Sequence, residues 1–365
     1  MKNTDLCRKT ILDLIPYVPG KPIEEVKREL GIDDIIKLAS NENPLGPSPK
    51  ALAAMKDALD NIALYPEGSC HDLRNELAKF LGVGTDNLIF GCGADEIIHF
   101  LGIAFLEDGD EIIQGYPSFM QYKAASTLMG CKTHLVPLND KWEHDIDAML
   151  EKVNDKTKLF FVTNPNNPTG TLLDSSVIEK VLKALPERCI LVLDEAYFEF
   201  ADDPGYTKSI EWVKEDKNVF VMRTFSKVYA LAGIRVGYGI ASKRIIDLIE
   251  RVRGPFNVNS VAQVGAVASL RDPEQLRRSR EQIARSKAYI YKALEEMGIE
   301  YTPTQANFIW INVKKNCREV FRDLMKLGVI VRTGDIFGHP TYLRVTFGTD
   351  EQNERFIKSL KEVLK

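Results

Sequence analysis

The chain has no apolar stretch approaching the ~18 residues that a membrane-spanning helix needs. Its first residues, Met1-Lys2-Asn3-Thr4-Asp5, lack the apolar core of a secretory leader. Both absences point to a soluble, unprocessed protein of the cytoplasm. Basic residues never gather into a long run and the net charge is −4, which argues against a nucleic-acid partner. The six cysteines (Cys7, Cys70, Cys92, Cys131, Cys189 and Cys317) form no CxxC pair and fall at no metal-ligand spacing, so they read as reduced and structural. The five histidines (His71, His99, His134, His144 and His339) are equally scattered; no metal site and no catalytic histidine is expected. The sequence contains no internal repeat and no low-complexity tract.

The 365 residues, 44% hydrophobic and 27% charged, suffice for two domains of unequal size. An N-terminal arm over 1–35, a large domain over 36–250 and a small domain over 251–365 are expected. In the arm, Ile15-Pro16-Tyr17-Val18-Pro19-Gly20 is kept extended by its prolines, and a short helix over 22–30 follows. Ser40-Asn41-Glu42-Asn43-Pro44-Leu45-Gly46 is a loop by its breakers, with a helix over 49–59 after it. Segments 87–90, 111–113, 158–163, 190–193 and 219–222 read as strands, most of them apolar and buried; 234–240 reads as another, with glycines at its centre. Helices alternate with them, the first over 94–105. This order predicts an α/β fold: a doubly wound, mostly parallel open sheet with helices on both faces. A helical stretch opens near Lys243, breaks at Gly254-Pro255 and resumes after Val258; a long polar-faced helix covers 273–297. Segments 307–311 and 343–347 read as strands of the smaller α/β domain.

Lys227 is the informative residue. In Thr224-Phe225-Ser226-Lys227 it has hydroxyls for neighbours, and Arg235 follows eight positions later. At the ordinary lysine pKa only about one side chain in a few thousand is a free amine at pH 7. A lysine in this setting, with Asp194-Glu195-Ala196-Tyr197 upstream, could instead form a Schiff base. Gly93, residues 116–119, Asn167, Asp194 and Thr224 each end or follow a different predicted strand. Ligands of open α/β sheets bind outside the carboxyl ends of the strands, so five segments converge on one edge. Gly91-Cys92-Gly93 opens like a dinucleotide fingerprint, but the third glycine's place holds Glu96, and that reading is set aside.

These segments resemble the fold-type I, pyridoxal-phosphate-dependent aminotransferases, and among them most closely the branch acting on histidinol phosphate. The resemblance runs from Tyr17 to Thr346. It is carried by residues 38–47, Tyr65-Pro66, Gly93-Ala94-Asp95-Glu96, Asn164-Pro165-Asn166-Asn167-Pro168-Thr169-Gly170, Asp194-Glu195-Ala196-Tyr197 and the Ser-Lys segment. It implies pyridoxal 5′-phosphate as cofactor, with Lys227 forming the Schiff base and then moving the substrate proton. Asp194 would face the pyridine nitrogen; at ~4 Å and an effective dielectric of 20 such an ion pair is worth ~4 kcal/mol, or roughly three pKa units. Tyr197 and Asn167 would bond the phenolate oxygen. The phosphate would sit on the backbone of Ala94 and Asp95 at a helix start, with Thr224, Ser226 and Arg235 completing its shell. Phe119 would stack on the ring, without the hydroxyl that many relatives carry there.

For the substrate the resemblance implies Tyr17, Asn43, Tyr65, Asn167, Arg332 and Arg344. The two arginines would take the phosphate, which carries up to two charges, or the donor's carboxylate. Tyr65 would come from a partner subunit, which makes the enzyme a homodimer. The expected reaction is reversible ping-pong transamination between histidinol phosphate and 2-oxoglutarate, giving imidazole-acetol phosphate and glutamate. Three other readings stay open: an aromatic or broad-specificity aminotransferase, a threonine-phosphate decarboxylase, and a cofactor-binding regulator. The regulator would need a DNA-binding segment for which the arm is too short.

Overall fold

The computed structural model describes residues 6–16, 20–203, 206 and 208–365. Strand β1 (Ile36–Lys37) precedes a seven-stranded sheet. This is built from β2 (Leu88–Gly91), β3 (Glu111–Tyr116), β4 (Lys132–Pro137), β5 (Thr157–Thr163), β6 (Ile190–Asp194), β7 (Val219–Thr224) and β8 (Gly237–Ala241). The order across the sheet is β2-β8-β7-β6-β5-β3-β4. Only β8 runs against its neighbours, β2 and β7; the remaining pairs are parallel. Because β2 opposes β8 and β8 opposes β7, β2 runs the same way as β3, β5, β6 and β7. The carboxyl ends of those five strands therefore share one edge, as the sequence predicts.

Side chains alternate between two cores, one on each face. Phe160, Val162, Leu191, Leu193 and Val221 face one, and Leu159, Phe161, Val192, Phe220 and Met222 the other. Strands buried on both faces read as continuous apolar runs, which is why β5, β6 and β7 are legible in the sequence. The edge strand β4 is half exposed and carries Lys132, Thr133 and His134, so it gives no such signal.

After the sheet come β9 (Glu300–Thr302), β10 (Phe308–Asn312), β11 (Val329–Ile330), β12 (Arg332–Thr333) and β13 (Tyr342–Thr346). Four of these form an antiparallel sheet in the order β12-β13-β10-β9. The long Pro273–Glu296 helix and the Asp350–Leu364 helix contribute to the main core alongside it. β11 instead pairs in parallel with β1, so the segment leading into the loop at Ser40 is tied to the C-terminal part. Among the described residues no helix is long and apolar enough to cross a membrane.

One expected strand is corrected. Residues 234–236 are not part of β8: Ala232–Ile234 is a 3-10 turn, and Arg235 takes φ +60°, a left-handed conformation that ends it. The interrupted helix is seen as Lys243–Ile249 and Ser260–Leu270.

Candidate active site

At the carboxyl edge of the sheet, the Ala94–Phe105 helix starts directly after β2, with Gly93 (φ +78°) as its N-cap. The backbone N–H groups of Ala94 and Asp95 lie in its first turn, where an α-helix offers no internal acceptor. Two glycines keep that end open. A Cβ on Gly93 would lie 2.2 Å from Arg235 Nη2, and one on Gly237 would lie 2.6 Å from Ala94 N. Arg235 is thus laid against the helix start by its left-handed backbone. It reaches Ala232 O at 3.1 Å and Ser226 Oγ at 3.5 Å, and it pairs with Asp95 at 3.5 Å. Ser226 and Thr224 are buried, and Ser226 N donates to Thr224 Oγ1 at 3.0 Å. A helix N-terminus, two hydroxyls and a guanidinium make a phosphate cradle.

Lys227 follows on the same loop. Its Nζ donates to Ser40 O at 3.1 Å and lies 5.6 Å from the centre of the Tyr197 ring. Burial, reinforced by Arg344, brings its pKa down from 10.5 to about 8. Asp194, the last residue of β6, is buried, and burial pushes its carboxyl up to about 6. Oδ1 accepts from Ala196 N at 3.0 Å and Oδ2 from Tyr122 Oη at 2.5 Å. Tyr197 Oη accepts from Asn41 Nδ2 at 2.9 Å, which leaves the phenol's own proton to donate elsewhere. Asn167 Oδ1 accepts from Arg344 Nη1 at 2.6 Å, which turns its Nδ2 donors away from that cation. Phe119 meets Tyr122 edge to face, ring centres 5.6 Å apart.

Arg344 also donates to Ala39 O at 2.6 Å. In the β12–β13 ladder it stands directly opposite Arg332, and the two side chains are only 7% and 9% exposed. Gly20 of the arm comes close to the second arginine: a Cβ there would lie 3.8 Å from Arg332 Nη1. Tyr17, three residues earlier, lies outside the described residues. Two other expected substrate contacts have partners of their own within the single chain. Asn43 uses its amide on Val228 O at 2.7 Å and Ser279 Oγ at 2.8 Å, so it fastens the loop beside the lysine segment. Tyr65 is 84% exposed and stacks on Phe256, ring centres 4.9 Å apart.

Sequence reasoning passed over three groups. Asn41 orients Tyr197 and is itself bonded by Thr346 Oγ1 at 3.0 Å, on a backbone with a positive φ of 57°. Tyr122 holds Asp194. The buried pair Glu195–Arg223, at 2.7 Å, anchors the segment following β6. Tyr122 was within reach of the sequence, because the first turn after the carboxyl end of any strand of such a sheet adjoins the ligand crevice.

The donor set fits pyridoxal phosphate: a phosphate cradle, an amine of lowered pKa, a carboxylate for a ring nitrogen, and a phenol and an amide able to donate to a ring oxygen. The fold and the site together define a pyridoxal-phosphate-dependent transferase on an open α/β sheet. The chain belongs to the aminotransferase class I and II family, whose model matches residues 33–360. A histidinol-phosphate aminotransferase of Moorella thermoacetica is 50% identical over 98% of this chain and 93% of its own length. Another, of Caldicellulosiruptor saccharolyticus, is 46% identical over 98% and 99%. The crystal structure of the Sinorhizobium meliloti histidinol-phosphate aminotransferase in complex with pyridoxal 5′-phosphate superposes with a TM-score of 0.90 at 26% identity, covering 97% of this chain and 96% of that one. The cofactor of this enzyme is pyridoxal 5′-phosphate, and its reaction is transamination.

Proposed function

We propose that the chain transfers the amino group between histidinol phosphate and 2-oxoglutarate, a step of histidine biosynthesis. One observation carries the choice of substrate: Arg332 and Arg344 face each other across adjacent antiparallel strands with almost no solvent access. Like charges directly opposite in a ladder destabilise it. An anion carrying up to two charges, such as a phosphate monoester, offsets that repulsion better than a single carboxylate. Relatives at 46% and 50% identity bear the same activity in their names.

Bound pyridoxal phosphate supplies an electrophilic carbonyl carbon and an electron sink. The chain does the rest. Arg344, fixed by Asn167 and Ala39, anchors the substrate anion, with Arg332 adding the second charge. Asp194 keeps a proton on the ring nitrogen. Tyr197 and Asn167 hold the ring oxygen. Lys227 Nζ, once free, moves the proton at the substrate carbon. Arg235, Thr224, Ser226 and the helix start hold the cofactor phosphate.

The proposal includes a homodimer. Leu59, Ile62, Leu64 and Tyr65 are exposed within seven residues, and Phe256 stacks on the last of them. Such a cluster is more than a monomer usually leaves in water, and a second copy would bury it and place Tyr65 in the partner's site. We also place the enzyme in the cytoplasm, in keeping with its biosynthetic relatives and with cysteines that form no disulfide among the described residues.

A turnover panel tests the substrate. Histidinol phosphate is expected to react at least about a hundredfold more efficiently than phenylalanine, and Arg332→Ala to erase most of that ratio while leaving the glutamate half-reaction within about threefold. Equal rates for both substrates in the unsubstituted enzyme would favour a broad-specificity aromatic aminotransferase.

A further inference from the structure

Tyr122 lies outside the motifs that carry the family likeness. It stands in the first turn of the Gln121–Leu128 helix and is 1% exposed. Its Oη lies 2.5 Å from Asp194 Oδ2 and 2.9 Å from Thr163 Oγ1. Thr163 Oγ1 is in turn 3.1 Å from Ser118 Oγ, which donates to Asn166 Oδ1 at 2.9 Å. Counting protons fixes the two ends of the row. An ionised Asp194 can only accept, so the phenol donates to it. The Ser118 proton is committed to the Asn166 amide oxygen. The single Thr163 proton then goes to Tyr122 or to Ser118, and both can accept it. A row of hydroxyls thus runs from the ring-nitrogen acid to the loop that carries Asn167.

We propose that Tyr122 is a positioning residue for Asp194: its phenol, backed by Thr163, fixes one carboxylate oxygen and keeps the acid ionised beside the cofactor nitrogen. The surroundings leave it that task. The titratable groups around Asp194 are Tyr122, Tyr197, Asp95 and Glu195, and the last two are acids that oppose its charge. Against them stand the Tyr122 phenol and the Ala196 N–H at 3.0 Å. Hydrogen bonds to an ionised acceptor are the stronger kind, so losing one of two matters. Without the phenol the carboxylate becomes more basic and competes with the ring nitrogen for the shared proton.

The inference rests on the cofactor and not on the identity of the acceptor, so its test uses holoenzyme without substrate. Tyr122→Phe keeps the ring that stacks on Phe161 at 4.4 Å. With cofactor labelled with 15N at the ring nitrogen, the variant's resonance is expected to move toward the unprotonated value. The equilibrium between the proton on the ring nitrogen and the proton on the carboxylate is expected to shift about tenfold toward the carboxylate. Cofactor release is expected to be about tenfold faster. Thr163→Val, which leaves the phenol in place, is expected to shift the resonance the same way by less. A Tyr122→Phe protein with a lower apoenzyme melting temperature but an unmoved 15N titration would reduce the residue to packing and overturn the proposal. If that variant does not fold, an unmoved titration in Thr163→Val overturns it instead.

Discussion

A lysine serves this chemistry only when its amine can lose a proton near neutral pH. Burial, with Arg344 as the next cause, holds Lys227 at about 8 rather than 10.5. Roughly a tenth of the side chains are then free amine at pH 7, compared with about one in a few thousand for an ordinary lysine. The same shift weakens the apoprotein. Between about pH 8 and pH 10.5 the unfolded chain binds the proton and the folded chain does not, so stability rises with pH through that window. Below it the whole penalty is present. Lys227→Met is therefore expected to stabilise the apoenzyme by about 3 kcal/mol at pH 7. The gain should shrink toward zero as the pH passes 10.5, the ordinary lysine value. Urea unfolding of both apoproteins at neutral and alkaline pH checks this; a gain that does not depend on pH would trace to methionine packing instead of to removal of the charge.

Among the elements, the helix that begins at Ala94 depends most on single atoms. Gly93 has both a positive φ and no room: a Cβ would press on Arg235 at 2.2 Å. Gly93→Ala is expected to cost about 1–3 kcal/mol of stability and, by pushing the guanidinium off the helix start, to weaken cofactor binding about tenfold. Gly254, where a Cβ would meet nothing within 4 Å, is the control, and Gly254→Ala should change neither. Melting temperatures and cofactor titrations of the two variants separate these outcomes, and equal effects would mean that the cradle is not the cause. The same loop explains what the sequence could and could not tell. The doubly buried strands were legible as apolar runs, and their polar ends as a converging edge. The start of β8 was not, because Arg235 breaks the pattern with a backbone conformation that side-chain type does not announce. Asn41 and Tyr122 were missed for a different reason. Their partners, Tyr197 and Asp194, lie 156 and 72 positions away, and only the assembled sheet edge brings them together. Asn43 shows the converse: it stands in a motif with family meaning, yet its amide is used to fasten the loop.

At the scale of the whole molecule, one chain brings together the residues proposed as cofactor cradle, acid, lysine and both arginines, yet Tyr65 points into solvent with Phe256 against it. If Tyr65 completes the site of a second copy, the two lesions Lys227→Ala and Tyr65→Ala must complement. In a mixed dimer, one site then carries both lesions and the other carries neither. Random pairing at equal expression makes half the dimers mixed, so about a quarter of all sites would be intact. Activity of the co-expressed pair is expected to rise to about that share of the unsubstituted enzyme, well above the mean of the two parents. A self-contained subunit predicts the opposite, because each chain of the mixed dimer keeps its own lesion. Co-expression with two affinity tags, followed by isolation of the mixed species, makes the contrast sharper: half the sites should work in that pool under a shared site, and none beyond the residual activity of Tyr65→Ala under a separate one. The measurement bears on Tyr65 alone, since Lys227 serves only to silence one subunit. It therefore decides whether the exposed tyrosine belongs to the active site of a second copy or only to the surface of its own chain.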